Sequence, residues 1–294
     1  MSERIGLPLA LRLLPKRLLS RLVGGLTAWR APGFLLRPAI ARYARAFGAD
    51  PREAAAPFDS HSSFRSFFTR ALRPDARPLP PDPLALVSPC DGAVVLGSTV
   101  DEGTILQAKG VPYSLAELLG DGSPGATPAA PRFVGGSALI VYLAPGDYHR
   151  FHWPWDGRVS EARHLPGDLW PVNPRAVAGV PRLFARNERV VLLGERTSGP
   201  AFAFVPVGAL NVGSIRVHAL PDLVTNRAFR RASPGRTGLS LPAVRGQELG
   251  WFEMGSSIVL LLGPGAGRFA DLAPGAPLRV GVEIGHERPG SIRT

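Results

Sequence analysis

From about Leu84 onward the chain is written as short apolar runs, each closed off by glycine or proline, and this punctuation limits its fold more than any other feature. Ala93-Val94-Val95-Leu96, the segment from Ala138 to Leu143, Arg189-Val190-Val191-Leu192-Leu193 and Phe202-Ala203-Phe204-Val205 all read as strands. Ser114 to Leu119 is the one short helix expected between them, and Gly120 to Pro131 reads as a surface loop rich in glycine, proline and alanine. No internal repeat is present. Strands this frequent, without regular intervening helices, predict an α+β fold with a largely antiparallel β core and not a doubly wound sheet. A chain of 294 residues that is 45% hydrophobic can bury a substantial core, as one large domain or as a core with an appendage.

The beginning of the chain has a different period. Residues 4–47 read as helical and amphipathic, with Pro15 suited to a helix start because its missing donor is unneeded in the first turn. At 100° per residue, Leu18, Leu19, Leu22, Val23 and Leu26 share one side, opposite Arg17 and Arg21. A second stripe is Leu36, Ile40, Tyr43 and Phe47. The formal charge is +11, nearly all of it arginine, and such a surplus serves nucleic acid or anionic membrane equally well. Here Arg12, Lys16, Arg17, Arg21 and Arg30 alternate with leucines and not with stacking aromatics, which favours a lipid surface over nucleic acid. The same faces could instead cover the protein's own core. Residues 1–63 are therefore read as a helical membrane-associating region ending in a polar linker from Ala49 to Ser63, and residues 64–294 as the β-rich domain.

No signal peptide is expected, because Arg12, Lys16 and Arg17 interrupt the apolar region. The longest uncharged run, Thr197 to Ile215, holds Pro200, Pro206, Gly208, Asn211 and Gly213 and suits two strands and a turn. The chain is expected to lie on a membrane and not through it. Cys90 is the sole cysteine, which excludes an intrachain disulfide and a paired-cysteine zinc framework.

Three segments carry chemistry. The run from Glu253 to Leu262 reads as strand, tight turn and buried strand, with Gly255-Ser256 at the turn. The others are Val87-Ser88-Pro89-Cys90-Asp91-Gly92 and the stretch from Asp147 to Gly157, which holds His149 and His152. An acid, a histidine pair and a serine are the raw material of a nucleophile, base and orienting acid, recognised by role and not by order. On a continuous strand residues three apart face opposite ways, so His149 and His152 would not share one task. They could also be core histidines satisfied by hydrogen bonds, or ligate a metal if the backbone turned there, though no third ligand motif accompanies them. No metal is expected. His61, His164, His218 and His286 receive no role.

With these segments in view, the sequence resembles the bacterial, pyruvoyl-dependent phosphatidylserine decarboxylases over nearly its whole length. Phe67-Phe68-Thr69-Arg70 with Leu72-Arg73-Pro74, Ile105 to Gly110, Asn173, Leu183 to Arg189, Val212-Gly213-Ser214-Ile215 and Gly246 to Gly250 look like family blocks in family order. The resemblance implies a proenzyme that cuts itself between Gly255 and Ser256, leaving chains 1–255 and 256–294. It implies Ser256 as nucleophile, His152 as its base and Asp91 as the acid behind that base. Ser256 then becomes the pyruvoyl cofactor, which forms a Schiff base with phosphatidylserine and releases carbon dioxide and phosphatidylethanolamine, with His149 protonating Cα. It further implies a peripheral protein on the cytoplasmic side of the cell membrane and a homodimer of cleaved protomers. Ser257 stands where threonine is usual, Cys90 where alanine is common, and Arg245 where lysine is often seen. Two other readings stay open: a non-catalytic lipid-binding homologue that never matures, and a pyruvoyl decarboxylase of a soluble amino acid.

Overall fold

Ser256–Leu262 is a strand of seven consecutive buried residues, and that continuity is explained by cover on both of its faces. Ile258, Leu260 and Leu262 belong to one hydrophobic cluster. Val259 and Leu261 belong to another. Successive strand residues point to opposite faces, so a sheet with two covered faces needs no polar alternation.

The computed structural model describes residues 15–288 except 108–110, 198, 211–213, 224, 227–234 and 254. The expectation of helix over 4–14 and the motif positions Ala108, Lys109, Gly110, Val212, Gly213 and Met254 lie outside the described residues. The fold is α+β. Ser256–Leu262 lies inside an eight-stranded sheet, flanked by Ala201–Gly208 and Ser137–Leu143. Gly92–Thr99 and Pro277–Leu278 extend the sheet beyond Ser137–Leu143, while Arg189–Arg196, Gly157–Leu165 and Leu241–Ala243 extend it on the other side. These neighbours pair antiparallel. One face is covered by aromatic residues that include Phe151, Trp153 and Phe252. Phe151 and Phe252 come from a three-stranded sheet, Ile215–Val217, Glu248–Phe252 and Arg150–His152. The other face is covered by short helices that contribute Leu115, Leu118, Val177 and Phe184.

The expected helix is present as Leu115–Leu119, with the Ser114 side chain accepting from Glu117 N–H. It is not alone. Pro174–Gly179 and Leu183–Arg186 are also helical, and Phe64–Phe68 forms one further turn. Asn173 caps Pro174–Gly179 by accepting from Ala176 N–H at 2.9 Å, a local signal with proline at the first helical position. The segment Ala49–Ser63 is packed and contains two 3-10 turns, Pro51–Glu53 and Phe58–Ser60.

Two helices precede it, Lys16–Ala28 and Gly33–Phe47. They use their faces in opposite ways. In Gly33–Phe47 the stripe turns inward: Leu36, Ile40 and Ala44 are buried with Phe67 in a small cluster that spans both sides of residue 63. In Lys16–Ala28 the polar side turns inward. Ser20 is buried, the Lys16 ammonium lies 3.7 Å over the Trp170 ring, and Arg17 donates to the Gly167 carbonyl and sits 3.9 Å from Glu188. Leu18, Leu22 and Leu26 are left exposed, as are Trp29, Phe34, Leu35 and Phe47 around them. No described helix is long and apolar enough to cross a membrane.

Candidate active site

Ser256 opens the central strand, paired with Leu143 on one side and Gly208 on the other. Its side chain shares a face with Ile258 and Leu260, the face covered by the aromatic small sheet, whereas Ser257 belongs to the opposite face. The two hydroxyls are thereby separated by strand parity. Ser256 is fully buried and its Oγ has no hydrogen-bond partner among the described residues. A buried polar group without a partner costs about 1–3 kcal/mol, so such a group calls for an explanation.

The chain closes on itself at this point through a backbone bond, in which Phe252 N–H donates to the His149 carbonyl at 2.9 Å. That bond ties the histidine segment to the strand running into Gly255. A methyl group placed on Gly255 would lie 4.0 Å from His149 Nε2 and 3.9 Å from the Leu143 carbonyl oxygen. The His149 ring is fully buried and lies on Phe68, with centroids 4.1 Å apart. Its Nδ1 is 2.8 Å from the Asp147 carbonyl oxygen, an acceptor, which assigns the ring proton to Nδ1 and leaves a lone pair on Nε2. Nε2 has no partner among the described residues. Burial drives the His149 pKa down to about 3, so the ring is neutral at physiological pH.

His152 sits in a different arrangement. Its Nδ1 donates to the Gly246 carbonyl at 2.9 Å and its Nε2 accepts from the Tyr148 hydroxyl at 3.2 Å. Burial lowers its pKa as well. Its backbone N–H donates to the Pro89 carbonyl at 2.8 Å, which joins it to the segment that carries Asp91. The Asp91 carboxylate accepts from Arg77 through Nε at 3.1 Å and Nη2 at 2.5 Å, and from Val280 N–H at 2.8 Å. Arg77 also bonds Glu53 at 2.9 Å.

The registers Ala93 with Tyr142 and Ser257 with Tyr142 bring Asp91 and Ser256 to one end of the sheet with a single strand between them. Two strand spacings amount to about 10 Å. The sequence-selected residues thus gather at one corner, but among the described residues no direct hydrogen bond joins Asp91 to His152, and the histidine facing Gly255 is His149. Close by, a cavity of about 450 Å³ is lined by Leu72, Arg77, Tyr148, His152, Gly246 and Glu248. Among the described residues no group of three or more His, Cys, Asp or Glu is placed to hold a metal ion.

Three contributors escaped the sequence reading. Tyr148 lies inside the histidine motif and was signalled by that position. Phe68 lies in the Phe67-Phe68-Thr69-Arg70 block, but stacking on a residue 81 positions away has no local signature. Arg77 reaches Asp91 across 14 residues with no motif between them.

Comparison with known proteins bears on the family of the chain. The sequence model described as phosphatidylserine decarboxylase matches residues 64–286. A phosphatidylserine decarboxylase proenzyme of Anaeromyxobacter sp. (strain K) is 45% identical over 289 residues, covering 97% of this chain and 99% of the relative. Those of Halorhodospira halophila and Myxococcus xanthus are 44% and 39% identical, over 96% and 94% of this chain and 94% and 96% of their own lengths.

Proposed function

The chain belongs to the phosphatidylserine decarboxylase family and decarboxylates phosphatidylserine to phosphatidylethanolamine, and from that premise we propose how its own residues do so. The observation that carries the proposal is the meeting, at one peptide bond, of two buried groups without partners among the described residues: Ser256 Oγ and His149 Nε2 beside Gly255.

Self-cleavage uses the Ser256 hydroxyl. Oγ attacks the Gly255 carbonyl, the C–N bond breaks, the freed Ser256 amine takes up a proton, and an ester replaces the amide. Loss of the Cα hydrogen then breaks the Cβ–Oγ bond, releasing Gly255 as a carboxylate, and water replaces the amine at position 256 with release of ammonia, which leaves a ketone. The hydroxyl must surrender its proton, and in the family assignment His152 receives it with Asp91 behind. For that arrangement to form, His152 Nε2 must leave Tyr148 and Asp91 must loosen from Arg77. A second reading is favoured by proximity: His149 Nε2, already unpartnered next to Gly255, takes the proton itself. Gly255 suits either route, since without a side chain it leaves its carbonyl open to attack.

A pyruvoyl group at position 256 fits the residues present. Its precursor hydroxyl is buried, unpartnered and flanked by a glycine, and the surrounding face is apolar. Such a group supplies a ketone that acts as electron sink for the carbon losing carbon dioxide. The rest falls to side chains. The substrate's ammonium must lose a proton to become nucleophilic, and neutral His149 Nε2 can hold that proton and return it at Cα. Phe68 fixes the ring plane, and the Asp147 carbonyl fixes the tautomer.

Residues 1–63 serve as the membrane-associating region, with Leu18, Leu22 and Leu26 as the side that meets lipid, and residues 64–294 as the catalytic domain. The exposure of these leucines among the described residues, beside an inward-turned basic side, supports this, because a lipid surface covers such an apolar stripe at helical spacing.

The test is Ser256→Ala. The variant should run as one uncut chain on denaturing mass measurement and release no carbon dioxide from phosphatidylserine. Cleavage between residues 255 and 256 in that variant would overturn the proposal.

A further inference from the structure

Three arginines follow one another at positions 70, 73 and 77, and two are neutralised. Arg73 bonds Asp75, and Arg77 bonds Asp91 and Glu53. Arg70 is the most buried of the three, 6% exposed, and its guanidinium contacts no carboxylate among the described residues. Nη2 donates to the Gly146 carbonyl at 3.3 Å, and Nε is buried without a partner among the described residues. The faces of Phe67 and Phe58 lie 5.2 and 5.7 Å from its central carbon.

Other buried arginines are served better. Arg163 bonds Glu161 and Asp121, and Arg189 donates to the carbonyls of Glu117, Leu118, Ala185 and Asn187. A buried cation with an idle donor is costly, and the aromatic faces and the field of Asp91 and Glu53 offset that cost only in part, since burial still lowers the Arg70 pKa. Such a group is built for an anion that arrives later.

Its place in the fold says which anion. Gly146 belongs to the turn that leads into His149, and Arg70 is two residues from Phe68, on which His149 stacks. On its other side are Phe58 and Phe67, part of the cluster under the helix Gly33–Phe47, whose Phe34 and Leu35 are exposed. A side chain on Gly146 would collide with the Phe47 carbonyl, so this turn is pressed against the end of that helix. From Gly255 outward the order is His149, then Arg70, then the helix. In phosphatidylserine the order from the reacting carbon outward is Cα, the phosphodiester, then the acyl chains. The carboxylate is attached to Cα itself, and a cation against it would stabilise the state before carbon dioxide leaves and oppose the reaction.

We propose that Arg70 is a headgroup-binding residue that holds the phosphodiester of phosphatidylserine between the reacting carbon and the membrane. This rests on the function proposed above. Neither Ser256 nor His149 is exposed in the uncut chain, so the phosphodiester reaches Arg70 by the same opening that admits the substrate to position 256. Two donors of one guanidinium on one diester give a charge-assisted fork that an ammonium cannot reproduce.

The experiment compares wild type with Arg70→Met and Arg70→Lys. Denaturing mass measurement comes first. Failure of the wild type itself to yield a ketone-bearing small chain would count against the proposed function and leave its own signature. In matured variants the KM for a short-chain phosphatidylserine should rise roughly 10- to 100-fold, with Arg70→Lys between wild type and Arg70→Met. Competition by short-chain phosphatidylethanolamine, which has the phosphodiester and no carboxylate, should weaken to the same extent. Competition by a serine O-alkyl ether, which has the carboxylate and no phosphate, should be unchanged. Melting temperature should hold or rise, because Met removes a buried unpaired charge. The inference is overturned by weakened competition from the serine ether alone, by unchanged KM, or by a lower melting temperature with KM intact. Loss of self-cleavage in both variants would assign the guanidinium to processing and overturn it too.

Discussion

The outward leucines of the first helix allow a quantitative test of membrane attachment. Leu18, Leu22 and Leu26 are 56%, 63% and 69% exposed, so each has roughly 60% of its surface available to lipid. Complete burial of a leucine side chain is worth about 1.5–3 kcal/mol, which puts the available part near 1–2 kcal/mol each and about 3–5 kcal/mol for three. Replacing all three with glutamine keeps the helix, since glutamine is nearly as good a helix former as leucine. The affinity for vesicles should therefore fall by about two to three orders of magnitude, at 1.4 kcal/mol per factor of ten. Sedimentation with anionic vesicles, scored as bound fraction against lipid concentration, measures this directly. Melting temperature should stay within a degree or two, because these side chains are absent from the buried clusters. Unchanged vesicle affinity in the triple variant would mean that these leucines do not meet lipid. So would a fall in stability matching the fall in binding, since the stripe would then be packing material.

Other perturbations address the site. Arg77→Met leaves the Asp91 carboxylate with only the Val280 N–H, and breaking a pair whose side chains are 9% and 11% exposed should cost about 3–5 kcal/mol in urea unfolding. A loss below about 1 kcal/mol would mean that this pair carries no weight. His149→Ala should mature yet fail to release carbon dioxide, whereas His152→Ala should stay uncut; intact His149→Ala alongside cleaved His152→Ala would transfer the base to His149. Acid stability follows from burial of neutral His149. Its folded pKa is about 3 against 6.5 for the unfolded chain, so below pH 6.5 the unfolded chain takes up a proton that the fold refuses. Stability is unaffected by this group above pH 6.5 and is lost as pH falls toward 3, by about 2–3 kcal/mol at pH 4.5. Measured in Ser256→Ala to keep one chain, that loss should shrink when His149 is also changed to Asn; equal losses in both would contradict a buried neutral ring.

The strands were legible because each was announced by β-branched and aromatic residues between glycines and prolines, and the antiparallel sheet followed from their spacing. Pro174–Gly179 and Leu183–Arg186 were missed because helices of one or two turns show too little period, although Asn173 and Pro174 are a cap signal in hindsight. Periodicity identified the stripes of the N-terminal helices but not which side meets the protein. That choice was made by partners far along the chain: Trp170, Gly167 and Glu188 draw the basic side of the first helix inward, and Phe67 draws the apolar side of the second. At the site, residue types were readable from motifs while connectivity was not. Nothing near Asp91 in sequence announces Arg77, and nothing in a three-residue spacing says that His149 alone faces Gly255.

In the mechanism proposed above, the Ser256 hydroxyl is consumed to build a ketone at the head of a new chain. Denaturing mass measurement of the purified, active wild-type protein before and after borohydride treatment tests it most directly. Two chains are expected, 1–255 and 256–294, with the smaller lacking a free N-terminal amine and gaining the mass of a reduced ketone. Full activity in material that consists of one intact chain, or a small chain that begins with an ordinary serine, would contradict it.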